Sequence, residues 1–329
     1  MIKIIYIMEN GKILANKIKN ILDYHFYDNN IFTSKNLEIE GNEKGFIFIM
    51  ASGIVLRKYL DQIKINNDKT KDGFVIIIDE FGKNIIPILS NHIGGGNYFS
   101  NLIGRELNSN VAITTATDVN NKIGIDELAT KYFLEMPNKK DILKINKKVL
   151  TEKVDLILPN EWKPIKNMVN TYNVNYHDKN YVVIDDNILL NPKKIAVGIG
   201  ARKNIKSHKV YWAVKKALYL RDIPLWRVDC FATVDVKKDE KGLIETVKTI
   251  NKELFIFNRQ DINEVYSNRN DLAKSDFVYK TIGVYGVAEP VSILGVKKIS
   301  NNINIDINDI ELILRKFKNK GVSIAIAVG

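Results

Sequence analysis

The sequence predicts an α/β protein in three parts: an N-terminal parallel-sheet α/β domain over residues 1–120, a small middle domain over 121–191, and a C-terminal α/β domain over 192–329 with an antiparallel edge hairpin. Three observations carry this. Short β-branched runs lack in-out alternation, which implies strands buried on both faces. Amphipathic stretches separate those runs and supply the cover, the pattern of a doubly covered parallel sheet. Beyond residue 120 the chain turns polar and helix-rich, and a buried strand restarts at Ile195.

In chain order, the first domain reads as "IKIIYIM" followed by "GKILANKIKNIL", "GFIFIM" by "SGIVLRKYLDQI", and "GFVIIID" by a short "NIIPIL" strand, a glycine loop and the helix "YFSNLIGREL". The strand "VAITT" and the helix "IGIDELATKYF" complete the pattern. In the middle segment "NKKDILKINKKVL" is a helix, and "KVDLILP" and "YVVID" are short strands separated by a loop containing Pro159 and Pro164. The last domain opens with "IAVGIGARKN" and the helix "SHKVYWAVKKALYL", then places strands at "VDCFATVDV" and "LFIFN". It ends in "LILRKF" and "GVSIAIAV", a hairpin turning at 318–321.

Composition narrows the function. Hydrophobic residues make up 45% and charged residues 26%, which excludes a disordered chain. The net charge of +11 sits on dispersed lysines, so it describes a solvated basic surface or one suited to a multiply anionic small ligand, and not a nucleic-acid track. A single cysteine, Cys230, excludes an internal disulfide, and its place in a strand makes it buried filler. No apolar run approaches the about 20 residues needed to span a bilayer, and the N-terminus lacks the features of a signal peptide. A cytoplasmic protein with no membrane partner is expected.

Five segments at strand-to-helix transitions could carry chemistry, because exposed amides at helix starts attract anions. In "MASGIVLR", Ser52 is an N-cap, and with Gly53 and Arg57 it forms a candidate anion site. In "SNHIGGGN", Gly94, Gly95 and Gly96 allow close approach to the backbone beside Asn97, and His92 is either a capping or loop residue or a general base. The loop lacks the lysine of a phosphate-binding P-loop. In "ITTATD", Thr114, Thr115 and Thr117 lead to Asp118, which caps a helix or joins the hydroxyls in binding something polar. In "GIGARK", Gly200 precedes the exposed Arg202 and Lys203. In "GVYGVAEPVSIL", Glu289 is a first-turn acid by default and an acid/base candidate only if it faces a cleft. The four histidines lack the spacing of a protein metal site, so no resident metal is expected.

Taken in order, "MASGIVLR", "VIIIDEFG", "IPILSNHIGGGN", "ITTATDVN", "IDELA", "VGIGARKN", "FATVDVK" and "VAEPVSIL" resemble the cobalt-precorrin-5A hydrolase family of anaerobic cobalamin (vitamin B12) biosynthesis over nearly the whole chain. Departures are modest. Ala201 stands where the family's G-I-G-C-R motif has cysteine, which removes any thiol role there, and Ile93 and Gly96 replace Leu and Ala.

The resemblance implies opening of the δ-lactone of cobalt-precorrin-5A and release of acetaldehyde, giving cobalt-precorrin-5B. It implies no protein cofactor, since cobalt arrives in the substrate and the ring is the electron sink. Such chemistry needs a base and oxyanion donors. His92 is the first candidate for the base, Asp118 or Glu289 the proton-shuttling alternative, and the amides of Gly94 to Gly96 the donors. An anionic cobalt-tetrapyrrole partner gives Arg57, Arg202 and Lys203 a reason. Neighbouring pathway enzymes and a second copy of the chain, as a homodimer, are the protein partners to consider. A non-catalytic tetrapyrrole carrier using the same loops is the alternative, and a nucleotide-binding module comes last.

Overall fold

The computed structural model describes residues 1–63, 72–300 and 305–329. They form two compact units, Met1–Asn191 and Pro192–Gly329.

The first unit holds β1 (Ile2–Tyr6), α1 (Glu9–Tyr24), β2 (Asn29–Thr33), β3 (Gly45–Ile49), α2 (Ser52–Lys58), α3 (Leu60–Ile63), β4 (Phe74–Ile78), β5 (Asn84–Leu89), α4 (Gly96–Leu107), β6 (Asn110–Val111), α5 (Ala116–Val119) and α6 (Ile125–Tyr132). These precede α7 (Lys139–Lys148), β7 (Val154–Pro159), α8 (Met168–Thr171), β8 (Tyr172–His177), β9 (Val182–Ile184) and β10 (Ile188–Leu190). Its larger sheet is six-stranded in the order β2-β1-β3-β4-β5-β6. Every residue of β3 and β4 is buried, as their unbroken apolar runs require. Leu14, Ile18 and Leu22 of α1 and Phe99, Leu102 and Ile103 of α4 pack against Ile4, Ile47, Phe74 and Ile76. Each such side chain contributes about 1.5–3 kcal/mol when fully buried.

The sheet is not wholly parallel. β4 and β5 are antiparallel, with Ile78 beside Ile85 and Val75 beside Leu89. Asp79 shapes the tight reversal between them, its carboxylate accepting the backbone N–H groups of Phe81, Lys83 and Asn84. This reversal decides which loops can share a site.

Of the predicted strand "VAITT" only Val111 is ladder-paired, with Asn110 before it completing β6; the threonines beyond run outside the ladder into α5. A second, four-stranded sheet has the order β10-β9-β7-β8. Sequence reading passed over β8, because "YNVNYH" carries polar residues at alternate positions on an edge strand that only its parallel partner β7 defines.

The second unit holds β11 (Ile195–Ala201), α9 (Ser207–Tyr219), β12 (Cys230–Val234), α10 (Lys241–Ile250), β13 (Glu253–Phe257), α11 (Arg259–Asn268), α12 (Asp276–Ile282), α13 (Ala288–Ile299), β14 (Glu311–Asn319) and β15 (Val322–Val328). One five-stranded sheet runs β13-β12-β11-β15-β14. β11, β12 and β13 are parallel, and β14 and β15 form the antiparallel edge hairpin, turning through Lys320 and Gly321 at positive φ. Gly198 lets α13 lie directly on β11: a Cβ there would sit 1.9 Å from the Ala288 carbonyl oxygen.

Candidate active site

Because β5 runs against β4, the glycine loop that follows Leu89 emerges beside Val75, at the amino end of β3 and β4. β6 runs parallel to β5, so the threonine segment that follows it arrives at the same edge. Gly95, the N-cap of α4, has φ of 92°, a conformation that disfavours a side chain.

At this edge His92, Asn97, Thr115, Thr117 and Asp118 converge. His92 Nε2 lies 3.3 Å from Asp118 Oδ2 and 3.2 Å from Thr117 Oγ1. Asn97, buried at the start of α4, donates through Nδ2 to Thr115 Oγ1 and to Asp118 Oδ2, both at 3.0 Å. The Thr115 hydroxyl donates to the same Asp118 oxygen. A carboxylate held by three neighbours is a rigid acceptor, suited to fixing the imidazole in one orientation. The geometry thus suits Asp118 to orient the His92 ring.

One member of the cluster was not anticipated. Glu127, in the first turn of α6, places Oε2 4.0 Å from His92 Nδ1, on the other side of the ring from Asp118, while its Oε1 pairs with Lys131 at 3.2 Å. The "IDELA" motif marked the position without a role, since only the fold brings α6 to the glycine loop.

Several expected site features are corrected. The amides of Gly95 and Gly96 already donate to the carbonyls of His92 and Ser90, and that of Asn97 to Asn91. Among the described residues, Gly94 alone of the three glycines keeps an amide outside this loop network, so of the three expected donors it is the one left open. Thr114 is exposed and stands apart from the bonds made by Thr115 and Thr117. Ser52 does not cap α2: Ala51 holds that position, without a side-chain cap. Gly53 and Arg57 follow the carboxyl end of β3, the opposite edge of the sheet from His92, and a five-residue strand separates the edges by about 17 Å. The Arg57 guanidinium folds back against Gly53. These three residues do not belong to the His92 site.

In the second unit, Gly200, Arg202 and Lys203 lie at the carboxyl end of β11. There β11 is flanked by its parallel neighbour β12 on one side and by the β14–β15 turn on the other, because β15 runs antiparallel to it. Both cationic side chains are exposed, while the Arg202 N–H donates to the Gly321 carbonyl. Glu289 fails the condition set for a catalytic acid. Its side chain is buried, with one oxygen accepting the Ala273 amide at 3.2 Å and the other the Lys316 amide at 2.9 Å, so it ties α13 to the neighbouring loop and to β14. Cys230 is fully buried, and burial pushes its thiol up to about 12, away from nucleophilic use.

Family models described as "Cobalamin synthesis G N-terminal" and "Cobalamin synthesis G C-terminus" match residues 38–118 and 195–327. The chain is 60% identical over 327 residues, 99% of its own length and 98% of the relative's, to a Methanocaldococcus jannaschii protein named a probable cobalt-precorrin-5A hydrolase. The chain belongs to the cobalt-precorrin-5A hydrolase family. The cobalt-precorrin-5A hydrolase of Priestia megaterium is 26% identical over 80% of this chain and 78% of its own. Among solved structures, a cobalamin biosynthesis protein G homolog from Sulfolobus solfataricus superposes with a TM-score of 0.60 at 25% identity, over 99% of this chain and 96% of the other. The N-terminal family match contains His92, Asn97, Thr115, Thr117 and Asp118, and stops short of Glu127. The C-terminal match contains Arg202, Lys203 and Glu289.

Proposed function

We propose that the protein hydrolyses cobalt-precorrin-5A, opening the δ-lactone and releasing the two-carbon unit as acetaldehyde to give cobalt-precorrin-5B. Membership of the hydrolase family supports the reaction, and the observation that carries the site is His92 held at Nε2 by Asp118 and Thr117 beside a glycine loop.

In this reading Asp118 accepts Nε2–H, which leaves the imidazole lone pair on Nδ1. His92 takes a proton from water through Nδ1 as the water oxygen bonds to the lactone carbonyl carbon. Asp118 meets the positive charge that forms on the ring, and the Gly94 amide faces the oxyanion. Collapse of the tetrahedral intermediate breaks the ester C–O bond, and the leaving oxygen takes the proton back. The freed hydroxyl then loses its proton as the adjacent carbon–carbon bond breaks, its electron pair passing into the cobalt-bearing macrocycle. The ring supplies that sink, so the residues need only move protons and hold charge. Arg202 and Lys203 are assigned to the substrate's carboxylate rim.

Anaerobic incubation of the purified protein with cobalt-precorrin-5A, assaying acetaldehyde and product mass together, tests this. Stoichiometric acetaldehyde with the lactone-opened product is expected. Tight capture without acetaldehyde would make the protein a carrier and overturn the reading.

A further inference from the structure

The Nδ1 side of His92 faces Glu127 at 4.0 Å, too far for a direct hydrogen bond. It is the distance at which one water, bonded to both atoms at about 2.8 Å, subtends about 90° between them. Glu127 is well placed to accept such a bond. Its side chain is 18% exposed, its other oxygen is neutralised by Lys131, and it sits in the first turn of α6. Asp126, the other acid of that turn, points elsewhere, accepting the Asn146 side-chain amide at 2.8 Å. Among the described residues, the charged groups paired around the imidazole are Asp118 from α5 on the Nε2 side and Glu127, with Lys131 behind it, from α6 on the Nδ1 side.

We propose that Glu127 is a second catalytic residue, seating the nucleophilic water between its Oε2 and His92 Nδ1. The inference rests on the hydrolase reading and deepens it. One O–H of the water points to His92 Nδ1 and the other to Glu127. A lone pair of the water oxygen forms the new O–C bond as the first O–H breaks, its proton going to Nδ1 and its electron pair staying on that oxygen, while the carbonyl π pair moves to the carbonyl oxygen. Glu127 stays ionised throughout and aims the attacking lone pair by holding the second hydrogen. The two carboxylates divide the work: Asp118 fixes the ring, and Glu127 fixes the water.

The test compares wild type, Glu127→Gln and Glu127→Asp in anaerobic single-turnover assays with cobalt-precorrin-5A across a pH series. Thermal unfolding of each, and the tautomer of ¹⁵N-labelled His92 in the free protein, are measured alongside. Glu127→Gln is expected to lower the rate about 100-fold with substrate affinity retained, and Glu127→Asp to recover part of it. The Nε2–H tautomer is expected in all three proteins. A Glu127→Gln rate and pH profile matching wild type would overturn this proposal alone. So would a rate loss explained by unfolding, whereas an Nδ1–H tautomer would overturn it together with the assignment of Nδ1 as the base. No product from wild type would overturn the hydrolase reading, and this proposal with it.

Discussion

His92 Nε2 lies 3.3 Å from Asp118 Oδ2, a pairing made by the parallel run of β6 beside β5. Replacing His92 with alanine should lower single-turnover acetaldehyde release about 10²–10⁴-fold with little change in binding. Asp118→Asn keeps the shape but loses the charge opposite the ring, so its rate should fall between wild type and His92→Ala. Rapid-quench turnover with equilibrium binding measures both, and an undiminished His92→Ala rate would remove the histidine from the chemistry.

Arg57 and Arg202 are separated in role by the sheet's topology. Arg57 lies on the edge of the first sheet away from His92, and Arg202 just beyond the carboxyl end of β11 in the second unit. Arg202→Ala should raise KM at low salt, with the difference from wild type shrinking as salt screens the remaining charges. Arg57→Ala should leave KM within about twofold. Steady-state kinetics in 20–500 mM salt, an order-of-magnitude range around about 0.1 M, separates them; a larger effect at Arg57 would contradict the assignment.

Gly198 and Gly200 look alike in "VGIGAR" but differ in what a methyl group would meet. At Gly198 it would lie 1.9 Å from the Ala288 carbonyl oxygen, whereas at Gly200 its nearest neighbour is Val287 Cβ at 3.4 Å. Gly198→Ala should cost about 1–3 kcal/mol or more, because α13 must move off β11. Gly200→Ala should stay within about 0.5 kcal/mol. Urea unfolding checks the pair, and equal losses would mean that the helix contact is not the reason for Gly198.

Asp271 is held by Arg269, and then by Arg315, at a pKa lowered to about 2. A depressed carboxylate stabilises the fold above its unfolded value of about 3.9, and that contribution is lost as pH falls toward the folded value. Asp271→Asn should therefore lower the melting temperature at neutral pH, and the gap should close between about pH 4 and about pH 2. A gap independent of pH would show that packing, not charge, is lost.

Cys230 gives a simple probe of the second unit. Fully buried in β12, with its thiol pushed up to about 12, it should resist disulfide-exchange reagents at pH 8 until the unit unfolds. Rapid labelling of native protein would place the thiol at the surface.

How much of this was legible beforehand depended on how local the cause was. The wholly buried β3 and β4, the amphipathic α1 and α4, and the terminal hairpin followed from periodicity, since burial on two faces, one face or an edge writes itself into adjacent residues. β8 was missed although "YNVNYH" alternates, since its asparagines weaken the strand signal and only pairing with β7 defines it. The motif at Ser52 looked like a capped anion site, yet Ala51 takes the cap and the whole segment lies on the far edge. Glu289 looked like an acid at a helix start, and its burial against the Ala273 and Lys316 amides could not be read from its neighbours in sequence.

The sequence by itself determined the α/β class, the histidine beside three glycines, the hydroxyl run ending in Asp118, and the likeness to a hydrolase family. Only the tertiary structure decided which of these meet. The reversal of β5 after the Asp79 turn carries the glycine loop to the amino edge of the sheet, β6 follows it there, and α6 swings Glu127 across the imidazole from Asp118. Strand direction is a property of pairing with a neighbour. A run of apolar residues specifies that a strand is buried, and its partners specify which way it points.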